Sequence, residues 1–183
     1  GRQPAFSESE LGYYRLTCGV RLDELSAVEE AGRYIRRTHP PAFVQGLSYE
    51  LANHSFRNQR FPEALQLLES LEPRNLRPAE RTHRQFMMGY AHFIAQRFAS
   101  ARSNFDSVRS QLKHPDYAAA NYYFGFICLR DQQYDLSLSS LRLVEDHPEY
   151  RSIVPYYIGQ LFYLQGKKKE AIEYVERKLQ ESG

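Results

Sequence analysis

Four stretches of this chain repeat one pattern of side-chain sizes. A small residue within an apolar segment is followed, nine positions on and across a short polar turn, by an aromatic or long side chain. A second small residue comes three positions later, and a bulky apolar one four after that. The four lines are Ala52, Phe61, Ala64, Leu68; Gly89, Phe98, Ala101, Phe105; Gly125, Tyr134, Ser137, Leu141; and Gly159, Lys168, Ala171, Val175. Their first members are separated by 37, 36 and 34 residues, and the second small residue keeps the same steps. A period of about 35 with two helical halves points to helical hairpins stacked into a solenoid, each burying its apolar face on its neighbours. The expected fold is therefore all-α, with no sheet, in a single array over 1–183.

The composition can supply a continuous core: 42% of residues are hydrophobic and 14% aromatic, with 14 Tyr and no Trp. That much apolar material excludes an intrinsically disordered chain. A net charge of +2 and a pI near 8.5 are too mild to point to nucleic acid or an anionic membrane. Polar residues interrupt every apolar stretch within a few positions, so no membrane-spanning segment is expected. Cys18 and Cys128 lie in different repeats without CxxC spacing and read as two small buried hydrophobes. The opening Gly1-Arg2-Gln3-Pro4, without Met or a leader peptide, reads as the start of a segment taken from a longer protein.

The first unit opens on Ser7-Glu8-Ser9-Glu10, a capping box that satisfies backbone N–H groups lacking a helical partner. Its helix is expected to run to about Cys18 and to be ended by Gly19. A second helix is expected from about Asp23 to Arg37, with Ala27, Ala31, Tyr34 and Ile35 inward. Ala27 stands 37 residues before Ala64, which brings the units to five, at approximately 7–40, 41–75, 78–114, 115–148 and 149–183. Thr38-His39-Pro40, Glu72-Pro73, Lys113-His114-Pro115 and Asp146-His147-Pro148 close four of them, since proline cannot continue a helix. Short polar turns such as Asn58-Gln59-Arg60 and Asp131-Gln132-Gln133 force the paired helices antiparallel. Pro62 falls in a first helical turn, where its missing N–H costs nothing, and a Ser152 cap places Pro155 likewise. Glycine inside a helix costs about 1 kcal/mol relative to Ala. Gly89, Gly125 and Gly159 therefore imply close approach of the paired helix through Ala101, Ser137 and Ala171.

These residues resemble the tetratricopeptide repeat (TPR), a unit of about 34 residues with small, aromatic and proline positions in this order. Met88-Gly89, Ala101, Phe105 and Pro115 look like one unit; Phe124-Gly125, Tyr134, Ser137, Leu141 and Pro148 like the next. Ile158-Gly159, Phe162, Ala171 and Val175 look like a third, and Leu51-Ala52, Phe61, Ala64 and Leu68 like a fourth. The Tyr- and Phe-rich style is similar to long arrays of bacterial cell-envelope proteins of the Bacteroidetes type. The resemblance implies a right-handed α-α superhelix and a protein-interaction role. Through the narrower likeness it implies a place in a bacterial cell envelope, on the periplasmic side.

No pattern for catalysis stands out. Gly166-Lys167 has Leu161 where a phosphate-binding loop needs glycine, and no H-E-x-x-H occurs. His39, His54, His83, His92, His114 and His147 are scattered, three of them at His-Pro junctions, and no serine sits in a nucleophile elbow. Neither an enzyme nor a cofactor nor a bound metal is expected.

In the family the first helix of each unit lines a concave face, and helical spacing selects its residues. They are Tyr49, Asn53 and Arg57; Phe86, Tyr90 and Phe93; Tyr122, Phe126 and Arg130; and Tyr156, Gln160 and Tyr163, with Leu51, Met88, Phe124 and Ile158 turned to the core. About two aromatics per unit, rimmed by Arg, would suit an extended peptide or a helix laid in the groove. Alternatively, several rings pack between adjacent units. RNA-reading solenoids need a basic, polar inner surface instead. Of the Lys and Asn clamp that chaperone-tail binders of the family use, only Asn53 is matched. The leading expectation is a non-catalytic protein- or peptide-binding scaffold within a longer array. The alternatives are a structural spacer that self-assembles and a glycan-binding groove. Ile172, Val175 and Leu179 on the last helix are expected to be partly exposed, an edge suited to self-association.

Overall fold

The computed structural model describes residues 7–37 and 41–181, so Gly1-Arg2-Gln3-Pro4 and the Thr38-His39-Pro40 junction lie outside the described residues. Among the described residues there are ten α-helices and no strand. They are α1 (Glu8–Arg21), α2 (Leu25–Ile35), α3 (Pro41–Arg57), α4 (Phe61–Ser70), α5 (Pro78–Ile94), α6 (Phe98–Val108), α7 (Tyr117–Arg130), α8 (Tyr134–Arg142), α9 (Val154–Leu164) and α10 (Lys168–Glu181). A 3₁₀ turn at Pro73–Asn75 follows α4. Contacts gather into two compact units, Gly1–Ala91 and His92–Gly183, with the boundary inside α5.

Every odd-numbered helix ends in the same way. Asp23, Gln59, Gln96, Gln132 and Gly166 all adopt positive φ, between 57° and 78°. In each case the N–H of that residue reaches the carbonyl three positions back, and the next N–H reaches the carbonyl five positions back from itself. Gln132 N–H donates to the Leu129 carbonyl at 3.0 Å, for instance, and Gln133 N–H to that of Cys128 at 2.8 Å. This is a Schellman turn, which satisfies carbonyls the helix leaves unpaired. The next helix begins two residues later in all five hairpins.

These turns give the repeat an exact register, and two expectations change. Gly19 does not end α1: it lies inside the helix, buried, and a Cβ there would come 2.4 Å from that of Ala27. The counterpart of Ala64 is Val28 rather than Ala27, because both follow their left-handed residue by five. The closest crossing of the first hairpin therefore lies nearer its turn than in the others, which is why its pattern of small residues looks different.

In the second unit the glycine crossings are as close as expected, with a different group filling the notch. A Cβ on Gly125 would lie 2.7 Å from Leu141 Cγ, and one on Gly159 would lie 2.8 Å from Val175 Cγ2. The bulky fourth member of each line thus packs into the glycine. Ser137 adds a buried hydroxyl that donates to the Gly125 carbonyl at 2.8 Å. The Ser7–Glu10 capping box forms. The Ser152 cap does not: Ile153 precedes α9 without a side-chain cap, and Pro155 is tolerated because it still falls in the first turn. Cys18 is exposed, contrary to the sequence reading, and Cys128 is buried.

Within each unit, hairpins stack through a stripe on the first helix and the residues leading into it, at spacing i, i+4, i+7, i+11. In the second unit it is Tyr150, Val154, Tyr157 and Leu161. Tyr150, Val154 and Leu161 share a core with Leu141 and Val144 of the preceding hairpin, and Tyr157 packs alongside. Tyr150 stacks on Tyr122 at 4.6 Å, and Tyr157 meets Phe126 edge-on at 5.9 Å. In the first unit the stripe is Phe43, Leu47, Glu50 and His54. Phe43 stacks on Tyr13 at 4.8 Å, and Leu47 joins the core of Leu16, Val20 and Ala31. Glu50 pairs with Arg21 and His54 with Asp23.

Candidate functional site

The residues picked from helical spacing fall into two sets, one in each unit. In the first unit Tyr49 and Phe86 are buried, at 8% and 9% exposure. They are therefore packing residues rather than open groove wall. Tyr49 belongs to a core with Ala52, Leu68, Leu71, Leu76 and Met87. Asn53 donates to the Tyr49 carbonyl at 3.0 Å, and its Oδ1 lies 3.1 Å from His83 Nε2. Arg57 is exposed and donates to Asp23 at 2.9 Å. Hydrogen bonds from His54 and Arg57 hold the Asp23 carboxyl below the usual carboxylate range. Tyr90 is half-buried against Phe56 and Phe61, each 5.5 Å away.

In the second unit Tyr122 and Phe126 are half-buried, because the following first helix lies on them. Burial, with Tyr157 beside it, pushes the Tyr122 phenol up to about 12. Phe126 also meets Phe93 at 5.8 Å, and Arg130 lies 4.1 Å over the Phe98 ring while bonding Asp131. The inter-unit packing reading therefore describes Tyr122 and Phe126 within this unit. By contrast Tyr156, Gln160 and Tyr163 on α9 are exposed, the tyrosines by 67% and 60%. They line an open groove of about 1140 Å³ between α9 and α10, together with Val175, Lys178 and Leu179. Lys178 bridges Asp146 and Glu181 at its edge, and Tyr174 beneath donates to Glu145 at 2.8 Å.

Sequence reasoning selected Tyr156 and Gln160 but missed that they differ from their counterparts. The signal was the stripe, whose covering role becomes visible only once the turns fix the register. Tyr13, the counterpart of Tyr49 and Tyr122 in the first hairpin, was missed for the same reason. Among the described residues no three His, Cys, Asp or Glu side chains gather as metal ligands, and no helix is long and apolar enough to cross a membrane.

No protein-family profile matches the sequence, and no curated protein does. Solved structures do match in shape. One is MamA 41-end from Desulfovibrio magneticus RS-1, with TM-score 0.69 and 12% identity, covering 96% of each chain. Another MamA crystal structure has TM-score 0.70 and 15% identity, over 96% of this chain and 92% of that one. A Podospora anserina putative kinesin light chain with nearly identical TPR-like repeats has TM-score 0.59 and 17% identity, over 95% of each chain. At such identities the likeness establishes the fold alone: an all-α, TPR-like solenoid.

Proposed function

We propose that this chain is a non-catalytic scaffold, a single array of five hairpins, that binds a helix or extended segment of another protein. The observation that carries the reading is the α9–α10 groove, where Tyr156 and Tyr163 expose most of their surface in an open concavity. Tyrosine supplies large, rigid contact area with a hydroxyl handle, and an apolar groove beside a helix suits an amphipathic helical partner. Asn53, Arg57, Tyr90, Tyr122, Phe126 and Arg130 supply lesser, partly exposed surface on other first helices. The self-assembly reading is supported by α10, where Ile172 and Leu179 are 59% and 69% exposed.

A displayed library of helical peptides, enriched on the protein, tests the scaffold reading. Enriched peptides should lose at least about tenfold in affinity for Tyr156→Ala combined with Tyr163→Ala, a change of at least about 1.4 kcal/mol. Melting should be unchanged, since both rings are exposed. Failure to enrich, or binders indifferent to both substitutions, would contradict it.

A further inference from the structure

We infer that the seam between α6 and α8 is a carboxylate-binding site, in which Arg102, Arg109 and the Ser140 hydroxyl hold one carboxyl group. The inference is independent of the α9–α10 groove, because these residues lie on helices inside the second unit. Helices α6 and α8 both pack on α7, which floors the seam between them. Arg102 and Arg109 stand seven residues apart at the α6 side. Their guanidinia lie over one ring of α7, Phe124, at 5.8 and 4.2 Å from its centroid. Arg109 donates its Nε–H to Asp106 at 2.6 Å, and Asn121 Nδ2 donates to the Arg109 carbonyl at 3.0 Å, which fixes the residue against α7. Arg102 is half-buried and forms neither a hydrogen bond nor an ion pair. The seam therefore carries one guanidinium charge that no side chain offsets, laid against a ring with its N–H donors unused.

A second observation comes from the opposite wall. Ser140 on α8 is fully buried, and its Oγ has no hydrogen-bond partner, a costly state for a hydroxyl. The next seam of the unit shows what this position asks for. Counted from the left-handed turn residue, Ser140 corresponds to Tyr174, Cys128 to Phe162 and Arg109 to Glu145. There Tyr174 meets Phe162 edge-on at 5.7 Å, and its hydroxyl donates to the Glu145 carboxylate at 2.8 Å. Between α6 and α8 the two rings give way to a serine and a cysteine, and the carboxylate gives way to an arginine. Burial pushes the Cys128 thiol up while the Arg102 and Arg109 charges act against that shift, so both guanidinia reach over this place. A carboxylate entering here gives Ser140 the acceptor that Tyr174 finds in Glu145, and gives Arg102 its counter-charge. One uncompensated positive charge with forked planar donors matches a planar, singly charged carboxylate better than a phosphate group, whose charge is nearer two.

Titration of the isotope-labelled protein with sodium acetate, against sodium chloride at equal ionic strength, tests this by NMR. The side-chain Nε–H signals of Arg102 and Arg109 should shift and saturate with acetate and not with chloride. Ser140→Ala should weaken acetate binding about tenfold, the worth of one hydrogen bond to a charged group, without lowering the melting temperature. Arg102→Gln should abolish saturation. If that variant loses helicity by circular dichroism, Arg102→Lys keeps the charge, removes the fork and should weaken binding by about tenfold too. Linear shifts that are the same in both salts would overturn the site and leave Ser140 to a buried water. So would saturation that survives the Arg102 substitution or ignores Ser140→Ala. Inorganic phosphate binding more tightly than acetate would overturn the choice of carboxylate. A blocked peptide carrying a single Glu, titrated on the same signals, separates the two sources of the group. Binding tighter than acetate assigns the carboxylate to a side chain of a protein partner, and binding no tighter assigns it to a free small molecule.

Discussion

Gln59, Gln96 and Gln132 hold φ at 58°, 57° and 59°, a conformation that crowds any Cβ. Glutamine carries no signal for it, so the turns were legible in the sequence as short polar links but not as Schellman turns. Gly166 is the one that fits the conformation without strain. Gln132→Gly should therefore stabilise the protein by about 0.5–1 kcal/mol, the relief of a left-handed side chain less the added freedom of glycine when unfolded. Chemical denaturation checks this, and a loss of stability would contradict it. Asp23 is a different case, since its carboxylate lies 2.8 Å from His54 Nδ1 and 2.9 Å from Arg57. Its side chain has a task in the stack that the glutamines lack.

Within a hairpin, the paired small residues announced the close crossing of helices, and the glycines carried most of that signal. Gly125→Leu should cost about 2–4 kcal/mol by overpacking against Leu141, whose Cγ already lies 2.7 Å from a Cβ at that site. Thermal unfolding that matches wild type would refute the packing account. Contacts between hairpins were less legible. Tyr13 with Phe43 and Tyr122 with Tyr150 are the same ring stack in two places, but hairpins with Glu80 or Asp116 at the second position break the pattern. A recurrence seen in only some repeats does not stand out in a single sequence. The first hairpin was also misplaced by one residue, because Leu16 and Val28 stand where later hairpins carry small residues.

For the molecule as a whole, the period and the order of residue sizes were enough to reach a helical repeat solenoid. The proposed surface was half legible: spacing picked out Tyr156 and Gln160, which are exposed, but could not tell which of the selected residues the next helix covers. Tyr49 and Phe86 are buried, Tyr122 and Phe126 half-buried, and Tyr156 open. Burial by a following hairpin, rather than residue type, separates them. The central claim is that the exposed α9–α10 face is where a protein helix docks. Hydrogen–deuterium exchange with a saturating library-selected helical peptide tests it most directly. The account predicts slowed amide exchange concentrated in Tyr156–Tyr163 and Val175–Leu179, with the first unit unchanged. Protection confined to other helices, or none while the peptide is demonstrably bound, would contradict it.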